Sequence, residues 1–372
     1  MMKNGLLVRW DITKKCNLKC KHCINGNKYL NTQEASFEEK KQIIDNLATG
    51  GVSRIHLLGG EATTVDKIEE LVEYACSKGI RVSLNTNSIV MAENESLCNT
   101  FAKCDVDVSF SIDGTTAELH EQIRGRGTYD AIIKASQKYY ELTKNKRVVR
   151  AFYYTLTPDN KHDDFNSLFS LAANLGINNI VVGVMIPLGH GKENYHGKTL
   201  DGDELLDIAE KVLQIAKSYP EIIVSFPFQT PLFLKYMGRK TERDYGICYS
   251  KCKSGVCEFS LEPNGILYPC IYISEAYAKS INCEISANSI IDYSFGDITE
   301  NNFFCNVHDK LNDSSIMDKV EPCTKCPYYR ELGLCKPCAF QHTFATDDYH
   351  KNQLCADILR KTGGDFLLNS AG

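Results

Sequence analysis

The chain has 372 residues, 43% of them hydrophobic, and a formal net charge of −5. That length supports two modest domains with sizeable cores. The mixed, mildly acidic charge carries no basic block of the kind nucleic acid requires, and the opening run MMKNGLLVRWD has an apolar stretch too short for a signal peptide or a membrane span. A cytoplasmic protein with no nucleic-acid and no membrane partner is expected.

Strand-like runs fall at 6–11, 54–58, 81–85, 106–111, 147–156 and 179–186. Helix-like runs alternate with them at 36–49, 66–78, 95–102, 129–144, 163–175 and 202–217. Ser36 and Glu39 form a capping-box signature at the first helix. The sixth strand, NIVVGVMI, is almost continuously apolar, as a parallel strand covered on both faces should be. The last helix has Leu205, Ile208, Ala209, Val212, Ile215 and Ala216 on one stripe. Six βα units predict an open, TIM-like partial barrel with active residues at the C-terminal ends of its strands.

Cysteine is the compositional outlier. An odd count of 17 in a cytoplasmic setting disfavours a disulfide framework. Cys76, Cys98 and Cys104 are isolated and read as small buried hydrophobes. From Cys248 to Cys355 cysteines are dense, which places a domain boundary near residue 240.

In the first βα loop, Cys16, Cys20 and Cys23 stand in a C-x3-C-x2-C array. Three thiolates on a tight loop suit a cubane iron–sulfur cluster with one iron left open to a small chelating molecule. Zinc is the rival, but the x3 arm and the lack of a nearby fourth ligand at finger spacing argue against it. After the second strand comes Gly59-Gly60-Glu61, either a close approach of backbone to ligand or an ordinary βα turn. After the third comes the polar run Asn85-Thr86-Asn87-Ser88, and after the fourth Ser109-Phe110-Ser111-Ile112-Asp113-Gly114. In the last third, Cys323-x2-Cys326 and Cys335-x2-Cys338 taken alone favour zinc; Cys252-x12-Gly265-x4-Cys270 upstream and the late Cys355 shift the reading toward clusters.

CNLKCKHC, then GGE, TN, and SIDG followed by HEQIRGRGTYD, in this order, resemble the radical S-adenosylmethionine (SAM) superfamily, and more narrowly its branch with a C-terminal SPASM domain. The resemblance implies an α/β fold: a partial (β/α)6 TIM-like barrel over residues 1–235, followed by a small Cys-rich iron–sulfur domain over 236–372. It implies that Cys16, Cys20 and Cys23 hold a [4Fe–4S] cluster completed by SAM. It also implies that Gly59, Gly60 and Glu61 bind the methionine ammonium, and that Ser111, Asp113 and Arg124 contact the SAM ribose and carboxylate. Ala62 stands where the family often has Pro, and no residue matches the family's adenine motif. Two auxiliary [4Fe–4S] clusters are implied, one on Cys252, Cys257, Cys270 and Cys338, the other on Cys323, Cys326, Cys335 and Cys355. The family's usual middle block is C-x2-C-x5-C-x3-C, and this chain has x8 and x2 there. Cys248 is an alternative to Cys252 or Cys257, and Cys283 and Cys305 are left over.

Enzymes of this branch mostly act on a peptide or protein substrate and draw electrons from a low-potential donor, flavodoxin or ferredoxin. The implied function is an oxidative peptide modification, a thioether or carbon–carbon crosslink in a ribosomally made peptide. Formylglycine formation in sulfatases is second, because Ile271 follows Tyr268-Pro269-Cys270 where that group carries an aspartate base. A small-molecule dehydrogenase is a third reading. Fifteen residues precede Cys16, too few for the winged-helix module that often presents the peptide, so a separate presenting partner or direct binding by the core is expected. No catalytic acid or base is assigned. Arg9, Asp11, His56, Asn85, Arg150 and Tyr154 are candidates to line the barrel. A zinc-binding interaction protein is the contrasting class, separated by iron content.

Overall fold

The computed structural model describes residues 5–26, 32–228, 230–243, 255–270, 288–301, 304, 309, 322–333, 335 and 350–362. Cys248, Cys252, Ile271, Cys283, Cys305 and Cys338 lie outside the described residues.

Among the described residues nine strands form one sheet: β1 (Leu6–Thr13), β2 (Val52–Gly59), β3 (Arg81–Thr86), β4 (Asp107–Ser111), β5 (Arg150–Leu156), β6 (Asn179–Val184), β7 (Ile223–Ser225), β8 (Glu258–Leu261) and β9 (Leu267–Tyr268). Their order is β7-β6-β5-β4-β3-β2-β1-β8-β9. Every neighbouring pair is parallel except β8 and β9. This is the parallel α/β sheet of a partial TIM barrel. The helices follow in turn: α1 (Phe37–Thr49), α2 (Ile68–Ser77), α3 (Ile89–Glu93), α4 (Glu95–Lys103), α5 (Ala117–Arg124), α6 (Thr128–Thr143), α7 (Phe165–Asn174), α8 (Gly189–Asn194), α9 (Gly202–Ala216) and α10 (Pro231–Thr241). The capping box expected at Ser36 and Glu39 is formed, and Asp201 with Glu204 builds a second at α9.

The strands alternate with period two. Val8, Trp10 and Ile12 of β1, Ile55 and Leu57 of β2, Val82 and Leu84 of β3, and Val108 and Phe110 of β4 are buried in the core under the helices. Each such side chain contributes roughly 1.5–3 kcal/mol by leaving water. The residues between them (Arg9, Asp11, His56, Leu58, Ser83, Asn85, Ser109 and Ser111) are half-buried on the inner face, and all but Leu58 are polar. The inner face of β1–β4 is therefore largely polar.

The structure corrects the expected lining on β5. Arg150 is buried on the helix side, where its guanidinium donates to the Gly176 and Thr143 carbonyls at 2.7 and 3.1 Å and stacks on Tyr140. Tyr154 donates to Asp163 Oδ2 at 2.7 Å. Tyr153 and Thr155 have the other parity and face inward, with Tyr153 packed over Gly183 of β6.

Two features go beyond the six expected strands. β7 adds a three-residue edge whose Ile223 is exposed. On the far edge, β8 and β9 come from the cysteine-rich region and continue the same sheet, β8 pairing with β1 through Leu7↔Glu258 to Trp10↔Leu261. The helix His350–Thr362 returns to α9 and α10. Leu354 and Ile358 are buried there, and Arg360 and Lys361 pair with Asp203 at 2.9 and 3.1 Å. Among the described residues no helix is long and apolar enough to cross a membrane.

Candidate active site

The three-cysteine loop leaves β1 at its C-terminal end. Thr13 anchors the exit, donating through Oγ1 to Glu34 at 2.9 Å while the Lys15 amide donates to the same hydroxyl at 3.1 Å. Cys16 is exposed, and Cys20 and Cys23 are half-buried. The Lys21 amide donates to the Ile123 carbonyl at 2.9 Å, and the His190 amide to the Cys23 carbonyl at 2.9 Å. The loop is thus pinned by the ends of the fourth and sixth βα units.

The Gly-Gly-Glu turn lies directly beneath. The Gly60 amide donates to the Thr13 carbonyl and the Glu61 amide to the Lys15 carbonyl, both at 2.8 Å. Gly59 has φ +117°, and a Cβ on it would stand 2.3 Å from the Thr13 oxygen; one on Gly60 would stand 2.0 Å from that of Lys15. Both glycines are required by backbone meeting backbone, before any ligand is considered.

Glu61 is 4% exposed. Its Oε1 accepts from the Thr63 amide at 3.2 Å, Thr63 Oγ1 at 2.6 Å and Thr86 Oγ1 at 2.9 Å, and its Oε2 from the Asn87 amide at 2.7 Å. Burial raises its pKa, and these hydrogen bonds oppose the rise. Asn87 reaches on through Nδ2 to Asn17 Oδ1 at 2.7 Å. The polar run after β3 therefore ties the Gly-Gly-Glu turn to the cysteine loop. Sequence showed that run as polar without giving it a partner.

Asp113 has no exposed surface. Its Oδ2 accepts from Arg124 Nε, and its Oδ1 from the Thr155 amide at 2.8 Å. His22 of the cysteine loop brings Nε2 to 3.5 Å from the same carboxylate and 3.4 Å from the Arg124 guanidinium. Burial pushes Asp113 upward, but Arg124, His22 and His120 outweigh it and hold the carboxyl below its usual range. Burial also lowers His22 to about 4, against the pull of Asp113, so the ring is neutral. Ser111 ends β4 half-buried on the inner face. His22 was missed as a site residue, although it lies inside the motif.

In the cysteine-rich region, Cys257 precedes β8 and Cys270 follows β9. The register Ser260↔Tyr268 brings both to the same end of the hairpin. The Cys326 amide donates to the Cys323 carbonyl at 3.2 Å, and the Cys335 amide to the Tyr328 carbonyl at 2.9 Å, which returns Cys335 to that turn. Cys355 lies on the helix His350–Thr362, its Sγ 3.5 Å from Thr230 Oγ1.

The N-terminal loop fits an iron–sulfur cluster. Burial pushes the Cys20 thiol up to about 11, a penalty that a bound cationic metal would offset. Arg124 faces Cys20 and Cys23 as a buried cation suited to an anionic cluster. Among the described residues no three His, Cys, Asp or Glu side chains close around a single ion.

A model of the radical SAM superfamily matches residues 10–172. The chain is 33% identical over 130 residues to mycofactocin maturase MftC of Mycolicibacterium smegmatis, covering 35% of this chain and 33% of that one. It thus spans about a third of the length of that relative. It is 24% identical over 357 residues to the AdoMet-dependent heme synthase of Methanosarcina barkeri, covering 92% of this chain and 93% of that one. Among solved structures, Streptococcus suis SuiB bound to its precursor peptide SuiA superposes with a TM-score of 0.69 at 16% identity, over 94% of this chain and 75% of that one. anSMEcpe with bound AdoMet gives 0.68 at 17% identity, over 97% and 98%. Those two likenesses establish the fold.

Proposed function

The chain carries a radical SAM domain over residues 10–172, and from that premise we propose an enzyme that removes hydrogen from a peptide to install an oxidative crosslink. The observation that carries the reading is the seat of the three-cysteine loop. It caps the C-terminal ends of parallel strands whose inner face is polar and half-open, with Arg9, Asp11, His56, Asn85 and Tyr153 below it.

Cys16, Cys20 and Cys23 hold the cluster in this reading. When bound, the cluster would supply the electron for reductive cleavage of SAM. The residues of the chain do the rest. Arg124 balances the negative charge of the thiolates and is itself fixed by Asp113. Glu61 locks the Gly-Gly-Glu turn against the loop, which fixes where the methionine end of SAM is presented. Ser111 and Asn85 are placed to orient donor groups on the inner face. Tyr153 and the neutral His56, which shares a 2.8 Å hydrogen bond with Ser83, line the inner face beneath the loop. Crosslinking removes two hydrogens from the substrate: one leaves as an atom to the 5′-carbon, the other as a proton and an electron. Cys252, Cys257, Cys270 and Cys338, and Cys323, Cys326, Cys335 and Cys355, would hold two further [4Fe–4S] clusters, which would supply an acceptor for that electron. We take 1–235 as the barrel unit and 236–372 as the cluster unit, with β8 as the seam between them. A cytoplasmic setting with a flavodoxin or ferredoxin donor belongs to the same reading.

SuiB, solved with a precursor peptide, supports the peptide reading through shared architecture. The alignment with a heme synthase along 92% of the chain favours a second reading, oxidation of a small molecule. The test is anaerobic turnover with SAM and dithionite against short peptides encoded beside the gene. A peptide lighter by two hydrogens, formed with 5′-deoxyadenosine, supports the first reading. Turnover of a heme precursor with no peptide modified selects the second.

A further inference from the structure

The stretch from Lys14 to His22 holds Lys14, Lys15, Lys19 and Lys21 and no acid, in a chain whose net charge is −5. Lys14, Lys15 and Lys19 are exposed around the exposed Cys16. The elements that pin this loop add to the charge. Lys21 bonds to Ile123, and Arg126 lies exposed just beyond; Asn194 Nδ2 donates to the Lys21 carbonyl at 3.0 Å, and its helix α8 carries exposed Lys192. Nearby acids are largely engaged. Glu34 accepts from Thr13 Oγ1 and the Lys14 amide, and Asp159 pairs with Lys21 at 3.4 Å and accepts from Tyr195 at 3.0 Å. Glu193 is an exposed acid on the same rim. The basic rim therefore surrounds the one edge of the loop where a thiol reaches the surface.

We infer that this rim is the docking surface for an acidic one-electron carrier protein, which delivers the electron to the Cys16 edge. The inference rests on the proposed SAM cleavage and adds where its reductant binds. Lysines on a surface are ordinarily just solvated. Here they are gathered, unopposed within their own loop, at the point where electron transfer needs closest approach. Charge complementarity of this kind raises association rates by roughly 10–10³-fold and weakens steeply with salt. Lys14 also donates to the Thr32 carbonyl and is left unaltered in the test.

The experiment compares cluster-loaded enzyme with its Arg126→Glu/Lys192→Glu variant, both positions lying outside the cysteine motif, and reads flavodoxin affinity directly by calorimetry as well as turnover. 5′-Deoxyadenosine formation is driven either by reduced flavodoxin, an acidic carrier, or by saturating dithionite. Lys103→Glu, at the opposite end of the barrel, is the charge control. At low ionic strength the double variant should lose tenfold or more of both the flavodoxin affinity and the flavodoxin-driven rate, and keep its dithionite-driven rate. The wild-type flavodoxin-driven rate should fall with added salt, and the control should match wild type. An equal loss with both reductants, an unchanged flavodoxin rate, or an equal loss in the control overturns the inference. Absence of 5′-deoxyadenosine with dithionite in the wild type would instead reject SAM cleavage itself.

Discussion

Glu61→Gln isolates what the buried carboxylate does. The two oxygens of Glu61 accept from four donors, three on Oε1 and one on Oε2. A glutamine offers one oxygen and one NH2. In its better orientation the oxygen keeps the Thr63 and Thr86 donors, and the NH2 is turned toward the Asn87 amide, donor against donor. One charge-assisted hydrogen bond worth about 1.5–3 kcal/mol is lost, and a buried N–H is left unmade at a cost of about 1–3 kcal/mol. A local loss of about 3 kcal/mol follows, roughly a hundredfold in an opening equilibrium at 1.4 kcal/mol per tenfold. Hydrogen exchange of the SAM-free protein, read by mass spectrometry on peptides spanning 59–66 and 84–90, should show protection falling by about that factor in both segments. Peptides of α7 should not change. Unaltered exchange at Asn87 would refute the view that this carboxylate holds the two turns together. SAM affinity should also fall tenfold or more in Glu61→Ala, because the turn it fixes presents the methionine end.

Gly60→Ala should prevent stable assembly of the cysteine loop, since its Cβ would stand 2.0 Å from the Lys15 oxygen; soluble protein with normal iron content would contradict this. Arg124→Met strands the buried Asp113 carboxylate, for a loss of about 3–5 kcal/mol, seen as a lower urea midpoint, and Asp113→Asn in the same chain should recover part of it. Asp203 is held below the usual carboxylate range, first by Arg360 and then by Lys361. Its contribution to docking the helix His350–Thr362 is therefore complete above the ordinary carboxylate pKa and lost as pH falls through the depressed one; proteolysis there should rise on acidification, less so in Asp203→Asn. A peptide of the form C-x-P-x-R should yield little formylglycine, because Ile271 cannot accept a proton, and efficient aldehyde formation by the unaltered enzyme would promote sulfatase maturation.

The barrel was legible because its strands and helices obey the two simple periods. The strand NIVVGVMI and the stripe from Leu205 to Ala216 each specify one environment. β7 was illegible, since three residues with an exposed Ile223 carry no pattern. β8 was hidden by distance: its pairing with β1 joins residues about 250 positions apart, and local sequence holds no trace of it. On β5 the parity of Arg150 and Tyr154 was misjudged because that strand has apolar residues on both parities, Ala151 and Phe152 side by side in the core. At the candidate site the cysteines and Gly-Gly-Glu announced themselves by residue type. The supports did not: Thr86, Asn87, Asn17 and His22 are ordinary polar residues until the fold brings their loops within hydrogen-bond reach.

The central claim is that SAM is cleaved at the loop bearing Cys16, Cys20 and Cys23. The most direct test is anaerobic 5′-deoxyadenosine formation with dithionite, alongside iron analysis, for the reconstituted wild type and its Cys16→Ala/Cys20→Ala/Cys23→Ala variant. The wild type should hold about twelve iron, three clusters of four, and the variant about eight with no 5′-deoxyadenosine. Undiminished 5′-deoxyadenosine from the variant, or zinc in place of iron in the wild type, would contradict it.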